Sequence, residues 1–293
     1  MRVIILGVSG LIGHSLFKEI SSKFETYGIL HNNKSFYSNH VLFETENVFD
    51  NIDVLDFEVL SKVLLAVDPD VIINCVGITK RKEEIKNTGL TLYVNALFPH
   101  KLAEWSKANN KRIIHFSSDC VFDGKVGNYS EESLTTAEDM YGRTKALGEI
   151  NYNHTLTLRS SFIGRELFSK TELLEWFLSQ NGLTIRGFTK ALYTGVSTIF
   201  LSKIVADIIE SHPNLSGLKQ LSIEKPISKY ELLCLAREAF KCNIEIIPDD
   251  TFEIKPTLKG EKLRDELGYV VPTWENMMYD LAKDSFNYEK SRL

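Results

Sequence analysis

Along the first 160 residues, short and predominantly apolar runs alternate with segments whose apolar positions recur every three or four residues. The runs at 3–6, 27–30, 71–73, 112–116 and 156–158 predict strands, and unbroken apolar character is expected of strands covered on both faces. Between them, residues 11–21 place Leu11, Ile12, Leu16, Phe17 and Ile20 on one helical face. Further helices are predicted over 57–67, 90–108 and 141–150. Asp68-Pro69-Asp70 stops the helix that begins at 57. This alternation predicts an α/β fold with a doubly wound parallel sheet. After about residue 162 it weakens, leaving helices expected at 172–178, 199–210 and 228–240. The last opens on Ser228, with Glu231 three residues on as a capping box.

Composition changes this picture little and excludes much. The 293 residues suffice for about two domains at roughly 100–200 residues each. The formal charge of −5 carries no block of like sign, so a surface that coats nucleic acid is not expected. No run of about 18 apolar residues is present to cross a membrane. Cysteines at 75, 120, 234 and 242 form no CxxC pair, so no metal and no disulfide framework is expected. Free thiols fit a cytoplasmic location.

The first chemistry lies at the end of the first strand, in Gly7-Val8-Ser9-Gly10-Leu11-Ile12-Gly13. Glycines there permit a tight turn and close backbone approach to a pyrophosphate. The following helix N-terminus supplies N–H donors and partial positive charge. The expectation is therefore a Rossmann-like dinucleotide site over Gly7, Ser9, Gly10, Leu11, Ile12 and Gly13. About 20 residues on, where such folds place an acid for the adenosine ribose, the chain has His31-Asn32-Asn33-Lys34. With no carboxylate there and Lys34 at hand, NADP(H) is favoured, with NAD(H) the alternative. The expected division is a NAD(P)-binding unit over 1–162, with a return segment near 190–220, and a smaller, mainly substrate-binding lobe over 163–293.

Tyr141 and Lys145 stand four apart on a predicted helix, hence on one face. The same spacing recurs at Tyr279 and Lys283, so it carries little weight alone. Tyr141, however, follows Ser118 by 23 residues, and Ser118 leaves a strand at the end where α/β sheets build their sites. Hydride arrival at a carbonyl carbon leaves negative charge on oxygen. A tyrosine with its pKa of about 10 lowered by a nearby ammonium can protonate that oxygen, and a serine hydroxyl can hydrogen-bond it. The catalytic candidates are Ser118, Tyr141 and Lys145. Tyr279 and Lys283 are expected on a solvated helix face.

With these motifs in view, the chain resembles the extended short-chain dehydrogenase/reductases, and within them the dTDP-4-dehydrorhamnose reductases. The likeness runs through Gly7–Gly13, Val71–Gly77, Tyr93-Val94-Asn95-Ala96, Ser117–Gly124, Tyr129-Ser130-Glu131, Tyr141–Glu149 and Leu158-Arg159. The resemblance implies that Ser118 polarises a carbonyl, Tyr141 donates the proton and Lys145 partners it while binding the nicotinamide ribose. It further implies that Gly10, Leu11 and Ile12 bind pyrophosphate, that Asp53 and Val54 lie near the adenine, that Gly77, Ile78 and Thr79 line the cofactor loop, and that Asp119 falls beside the substrate. Cys120 stands where the family usually has an aromatic, and Phe162 where it has a Trp. Thr135–Met140 lack the prolines expected before the tyrosine.

The implied activity is NAD(P)H-dependent reduction of the 4-keto group of a nucleotide-linked deoxysugar, in making surface-polysaccharide precursors. Expected partners are the nucleotide-sugar substrate and, at most, a second copy in a homodimer. A 4,6-dehydratase needs Asp-Glu after the catalytic hydroxyl residue, and Asp119-Cys120 lacks it. A 4-epimerase uses the same three residues and stays an alternative, as does a cofactor-binding regulatory subunit.

Overall fold

The apolar run at the start of the chain becomes a strand, β1 (Arg2–Leu6), that sends Val3 and Ile5 into one core and Ile4 and Leu6 into a second. Burial on both faces is why the run shows no polar alternation. The computed structural model describes residues 1–284 and Tyr288. In it β1 is followed by β2 (Glu25–Ile29), β3 (Val48–Phe49), β4 (Val71–Asn74), β5 (Arg112–Ser118) and β6 (Thr155–Ser160). Then come β7 (Phe162–Ile163), β8 (Thr184–Tyr193), β9 (Val196–Ser197), β10 (Gly217–Gln220), β11 (Ile227–Ser228) and β12 (Glu245–Ile254). The helices are α1 (Leu11–Ile20), α2 (Phe57–Val67), α3 (Thr88–Leu92), α4 (Phe98–Ala108) and α5 (Met140–Leu147). They continue with α6 (Leu173–Leu178), α7 (Thr198–Ser211), α8 (Lys229–Phe240), α9 (Glu261–Leu267) and α10 (Trp274–Lys283).

Seven strands form one parallel sheet in the order β10-β6-β5-β4-β1-β2-β3, with helices on both faces. The order reverses between β1 and β4, so a crevice opens at their carboxyl ends. This is the doubly wound Rossmann-like architecture. The sheet is not built from one continuous stretch. After β6 the chain leaves it, forms β7, α6 and β8, and returns through α7 and β10. α7 lies along α1, where the Ser15 and Ser202 hydroxyls meet at 3.1 Å, and β10 pairs with β6. The smaller lobe has a second sheet, with β8 between β11 and a parallel partner, β12. Ser228 and Glu231 form the expected capping box at α8.

Four segments are the clearest departures from the pattern-based expectation. The ten-residue strands β8 and β12 were not foreseen, because β8 mixes exposed with buried positions, β12 is largely exposed, and both carry a mixed sequence rather than an apolar run. The two-residue β3 is too short to leave a periodic signal. The single helix expected over 90–108 is interrupted by a π-helical turn, Tyr93–Leu97, between α3 and α4. Such turns often mark functional sites, and this one faces α5. Among the described residues, no helix is long and apolar enough to cross a membrane.

The approach of α5 to that turn is close. A Cβ at Gly148, the residue that ends α5, would lie 1.9 Å from the Asn95 carbonyl oxygen. Gly148→Ala is therefore expected to destabilise the fold by about 1–3 kcal/mol. Thermal unfolding checks this, and an unchanged melting temperature would contradict the packing described.

Candidate active site

The crevice at the strand ends widens into a cleft of about 1280 Å³ between the large sheet and the smaller lobe. Its floor begins at the glycine turn. Gly7 adopts φ +75°, a conformation that L side chains avoid, and a Cβ at Gly13 would come within 2.2 Å of the Gly7 carbonyl oxygen. Gly10 caps α1 without any side-chain hydrogen bond, so no side chain competes for the first N–H groups of the helix. That combination fits a dinucleotide pyrophosphate. Ser9, Gly10, Leu11 and Ile12 line the cleft, whereas Gly7 and Gly13 act behind it by permitting the turn.

Ser118 is the last residue of β5 and Asp119 opens the short 3₁₀ turn that follows. The Ser118 hydroxyl accepts the Cys120 N–H and donates to the Asp119 carboxylate, each at 3.1 Å. α5 begins at Met140, capped by Asp139, which accepts the Gly142 N–H at 2.8 Å. Gly142 lets this helix press on the 3₁₀ turn, since a Cβ there would lie 2.1 Å from the Cys120 carbonyl oxygen. The close approach brings Tyr141 and Lys145 to Ser118 and Asp119, and all four line the cleft. The Tyr279–Lys283 pair lies on α10, where Tyr279 is exposed and the lysine covers its ring.

The electrostatics correct one expectation. Burial pushes the Tyr141 phenol above its ordinary range, and Cys120, Asp119 and Glu172 push the same way, while its hydrogen-bond contact with Ser118 opposes them. The phenol is thus held protonated rather than poised to ionise. Burial lowers the Lys145 ammonium to about 8, with Glu149 and Cys75 opposing the fall. Its Nζ donates to the Phe116 carbonyl at 2.6 Å.

Two supports went unassigned in the sequence. Asn95, in the π-helical turn, accepts the Ile78 N–H and donates to the Ile78 carbonyl, both at 2.8 Å, and also donates to the Thr144 hydroxyl at 3.2 Å. It fastens the 77–79 loop to α5. Glu149, one turn beyond Lys145, receives a bidentate pair of hydrogen bonds from buried Arg159 at 2.8 and 2.7 Å, and one from Ser117 at 2.6 Å. Arg159 in turn packs over Phe122. Both Asn95 and Glu149 belong to motifs visible in the sequence, but only the fold shows what they touch.

Asn32, Gly77 and Thr79 also line the cleft, and Thr79 donates to Glu172 at 3.1 Å. Besides Gly7 and Gly13, five of the residues singled out from sequence do not line it. Ile78 faces Asn95, and Val54 is buried in the core beneath. The Asp53 carboxylate accepts the Leu55 N–H at 2.9 Å. His31 lies beside Asn32 on the outer loop, and the Lys34 ammonium reaches the Thr45 carbonyl at 2.9 Å. That loop is also less free of acid than the linear sequence implies. β3 brings in Asp50, whose carboxylate accepts the Lys34 N–H at 2.6 Å.

A glycine turn at the switch point of a parallel sheet, with serine, tyrosine and lysine gathered beside it, defines the architecture of a short-chain dehydrogenase/reductase. Residues 1–163 match the family described as RmlD substrate binding domain, and the chain belongs to that family. The fold is similar to that of dTDP-4-dehydrorhamnose reductase from Bacillus anthracis, crystallised with NADP. The TM-score is 0.78 at 19% identity, over 96% of this chain and 98% of that one. In sequence, the dTDP-4-dehydrorhamnose reductase of Aggregatibacter actinomycetemcomitans is 27% identical over 50% of this chain and 45% of its own. The Mus musculus methionine adenosyltransferase 2 subunit beta is 23% identical over 82% of this chain and 72% of its own.

Because catalysis of the kind outlined needs the Lys145 ammonium, activity is expected to be level below about pH 8 and to fall as pH rises through it. Glu149→Gln removes a charge that favours the ammonium, so this limb should move to lower pH. The same change leaves Arg159 buried without its counter-charge, at a cost of about 3–5 kcal/mol. A pH–rate profile with denaturant unfolding checks both. A loss of stability with an unmoved limb would reduce Glu149 to a scaffold.

Proposed function

We propose that this protein is an NADPH-dependent reductase of the 4-keto group of a nucleotide-linked deoxysugar. The observation that carries the reading is the meeting of Ser118, Tyr141 and Lys145 in one cleft with an uncapped, glycine-opened helix N-terminus. Bound in that cleft, NADPH would supply a hydride to the carbonyl carbon. Ser118 would hydrogen-bond the oxygen as charge builds on it, and Tyr141 would protonate it. A raised phenol pKa suits this direction, since the donor must carry its proton at the start. Lys145 would then balance the phenolate left behind, and water restores the proton. Gly10, Leu11 and Ile12 would hold the pyrophosphate, Gly77 and Thr79 the inner wall, and Asn32 the ribose side, which Lys34 would reach only by leaving the Thr45 carbonyl. Asp119 would face the sugar.

One observation favours a second reading. Relatives aligning over 82% of this chain are beta subunits of methionine adenosyltransferase 2, and by analogy the chain would be a cofactor-binding partner of another enzyme. Incubation with NADPH and a panel of 4-keto sugar nucleotides separates the two. Stoichiometric NADPH loss with a reduced sugar supports the reductase. Epimerised sugar without net oxidation points to a 4-epimerase, and tight NADPH binding without turnover points to the subunit.

Two expected outcomes sharpen this reading. Tyr141→Phe should lower turnover about 10²–10⁴-fold while NADPH affinity holds, and Tyr279→Phe should leave turnover unchanged. Retained turnover in the first variant would remove Tyr141 from the chemistry. For the cofactor, kcat/KM should favour NADPH over NADH by about tenfold or more, the worth of one charge-assisted contact. Parity would mean that Asp50 cancels Lys34.

A further inference from the structure

We propose that residues 165–172 form a clasp closed over the dinucleotide site, so that a cofactor enters and leaves only when the clasp lifts. The inference rests on the cofactor half of the proposed reading and is independent of the sugar.

The strand order β4-β1-β2 places the glycine turn between the loops that follow β4 and β2, all at one edge of a parallel sheet. The segment between β7 and α6 touches both of those loops. On the β2 side, the Phe168 ring lies 5.1 Å from that of Tyr37 and 4.6 Å from that of His40, centre to centre. The Tyr37 hydroxyl oxygen is itself 3.5 Å from that of Ser9 in the glycine turn. On the β4 side, Thr79 donates to the Glu172 carboxylate at 3.1 Å, and Arg81 to the Thr171 carbonyl at 2.5 Å. A segment joined to both neighbours of the glycine turn crosses over it. Tyr37, Phe168, Thr79 and Glu172 all line the cleft, so the segment roofs the space whose floor is the turn.

The clasp is firm within and lightly held at its tips. Glu166, 5% exposed, accepts the Thr171 and Glu172 N–H groups at 2.9 and 2.7 Å, together with the Ser169 and Thr171 hydroxyls. Four hydrogen bonds to one carboxylate fix the shape of the loop. Its base is tied to the smaller lobe, where Arg165 pairs with buried Glu175 and lies 5.4 Å from the centre of the Phe240 ring. The contacts with the large sheet's loops are lighter. They are rings meeting edge to face and two hydrogen bonds, one of them from an exposed arginine. The segment therefore parts from the sheet as a unit before it unwinds. A dinucleotide lies across the crevice at the switch point, along the line of this bridge, and the bridge must lift for it to pass.

The test is stopped-flow kinetics of NADPH binding and of its displacement by excess NADP⁺, with hydrogen exchange of the peptide spanning the clasp. Phe168→Ala, and Arg81→Met on the other flank, should each raise the association and dissociation rates together by about tenfold, with Kd changing by less than either rate. A side chain that merely touches the cofactor would alter dissociation alone, so that pattern, or unaltered rates, overturns the clasp. In the wild-type protein NADPH should slow exchange in the peptide containing Thr171 and Glu172, while a peptide from α10 exchanges as before. This readout stands where a variant fails to fold, and exchange indifferent to NADPH overturns the proposal. Rates that depend on Phe168 and Arg81, without turnover of any 4-keto sugar nucleotide, keep the clasp and remove the reductase reading. Turnover with cofactor rates indifferent to both residues does the reverse. Absence of NADPH binding to the wild-type protein removes both.

Discussion

The side-chain amide of Asn95 is the tie on which the cleft depends. Its three hydrogen bonds join a loop that follows β4, a helix that follows β5, and its own π-helical turn. An α-helical path through 93–97 would turn the side chains beyond it by a different angle, and the amide would miss the Ile78 backbone. The irregular turn is thus bought by the contact it makes, since buried backbone groups demand partners. Without it, the loop at 77–79 would keep its tie to Glu172 and the helix bearing Tyr141 and Lys145 its packing on the turn after β5, but the two would lose their link to each other.

What the linear sequence discloses follows from which forces are local. Strands β1, β4 and β5 are legible because two-sided burial writes a run dominated by apolar residues. The glycine turn is legible because its backbone geometry excludes other residues. Ser118 and Tyr141 are legible from their positions after a strand and on a helix. By contrast, β8 and β12 are defined mainly by pairing with each other, which no window along the chain contains. The same holds for Asp50, which reaches the 31–34 loop only through the pairing of β2 with β3, and for Tyr37 and Phe168, which meet only where the two lobes touch. The pattern also suggested that a neighbouring ammonium would set the acidity of Tyr141. Burial dominates instead, with Cys120 and nearby carboxylates adding to it, and burial is invisible until the chain has folded.

Low dielectric acts on the two central groups in opposite directions and to one end. It raises the phenol of Tyr141 and lowers the ammonium of Lys145, favouring the neutral form of each. A proton donor benefits outright from this. A cation does not, and Glu149 supplies the correction from one helical turn away, itself restrained by Arg159 and Ser117. The charges of the site therefore form a graded sequence from solvent-facing Lys80 and Arg81 to a sealed carboxylate–guanidinium pair beneath the sheet end.

The return of the chain through α7 and β10 has a consequence for any attempt to isolate the first half. A fragment stopping near residue 163 would contain every glycine and hydroxyl of the proposed chemistry, yet it would leave β6 as an open sheet edge with an unpaired row of N–H and C=O groups. It would also strip α1 of the apolar helix that covers it. Such a fragment invites strand-to-strand association with its own copies, so expression trials, limited proteolysis and domain grafting should treat residues 1–163 and 198–220 as one inseparable unit.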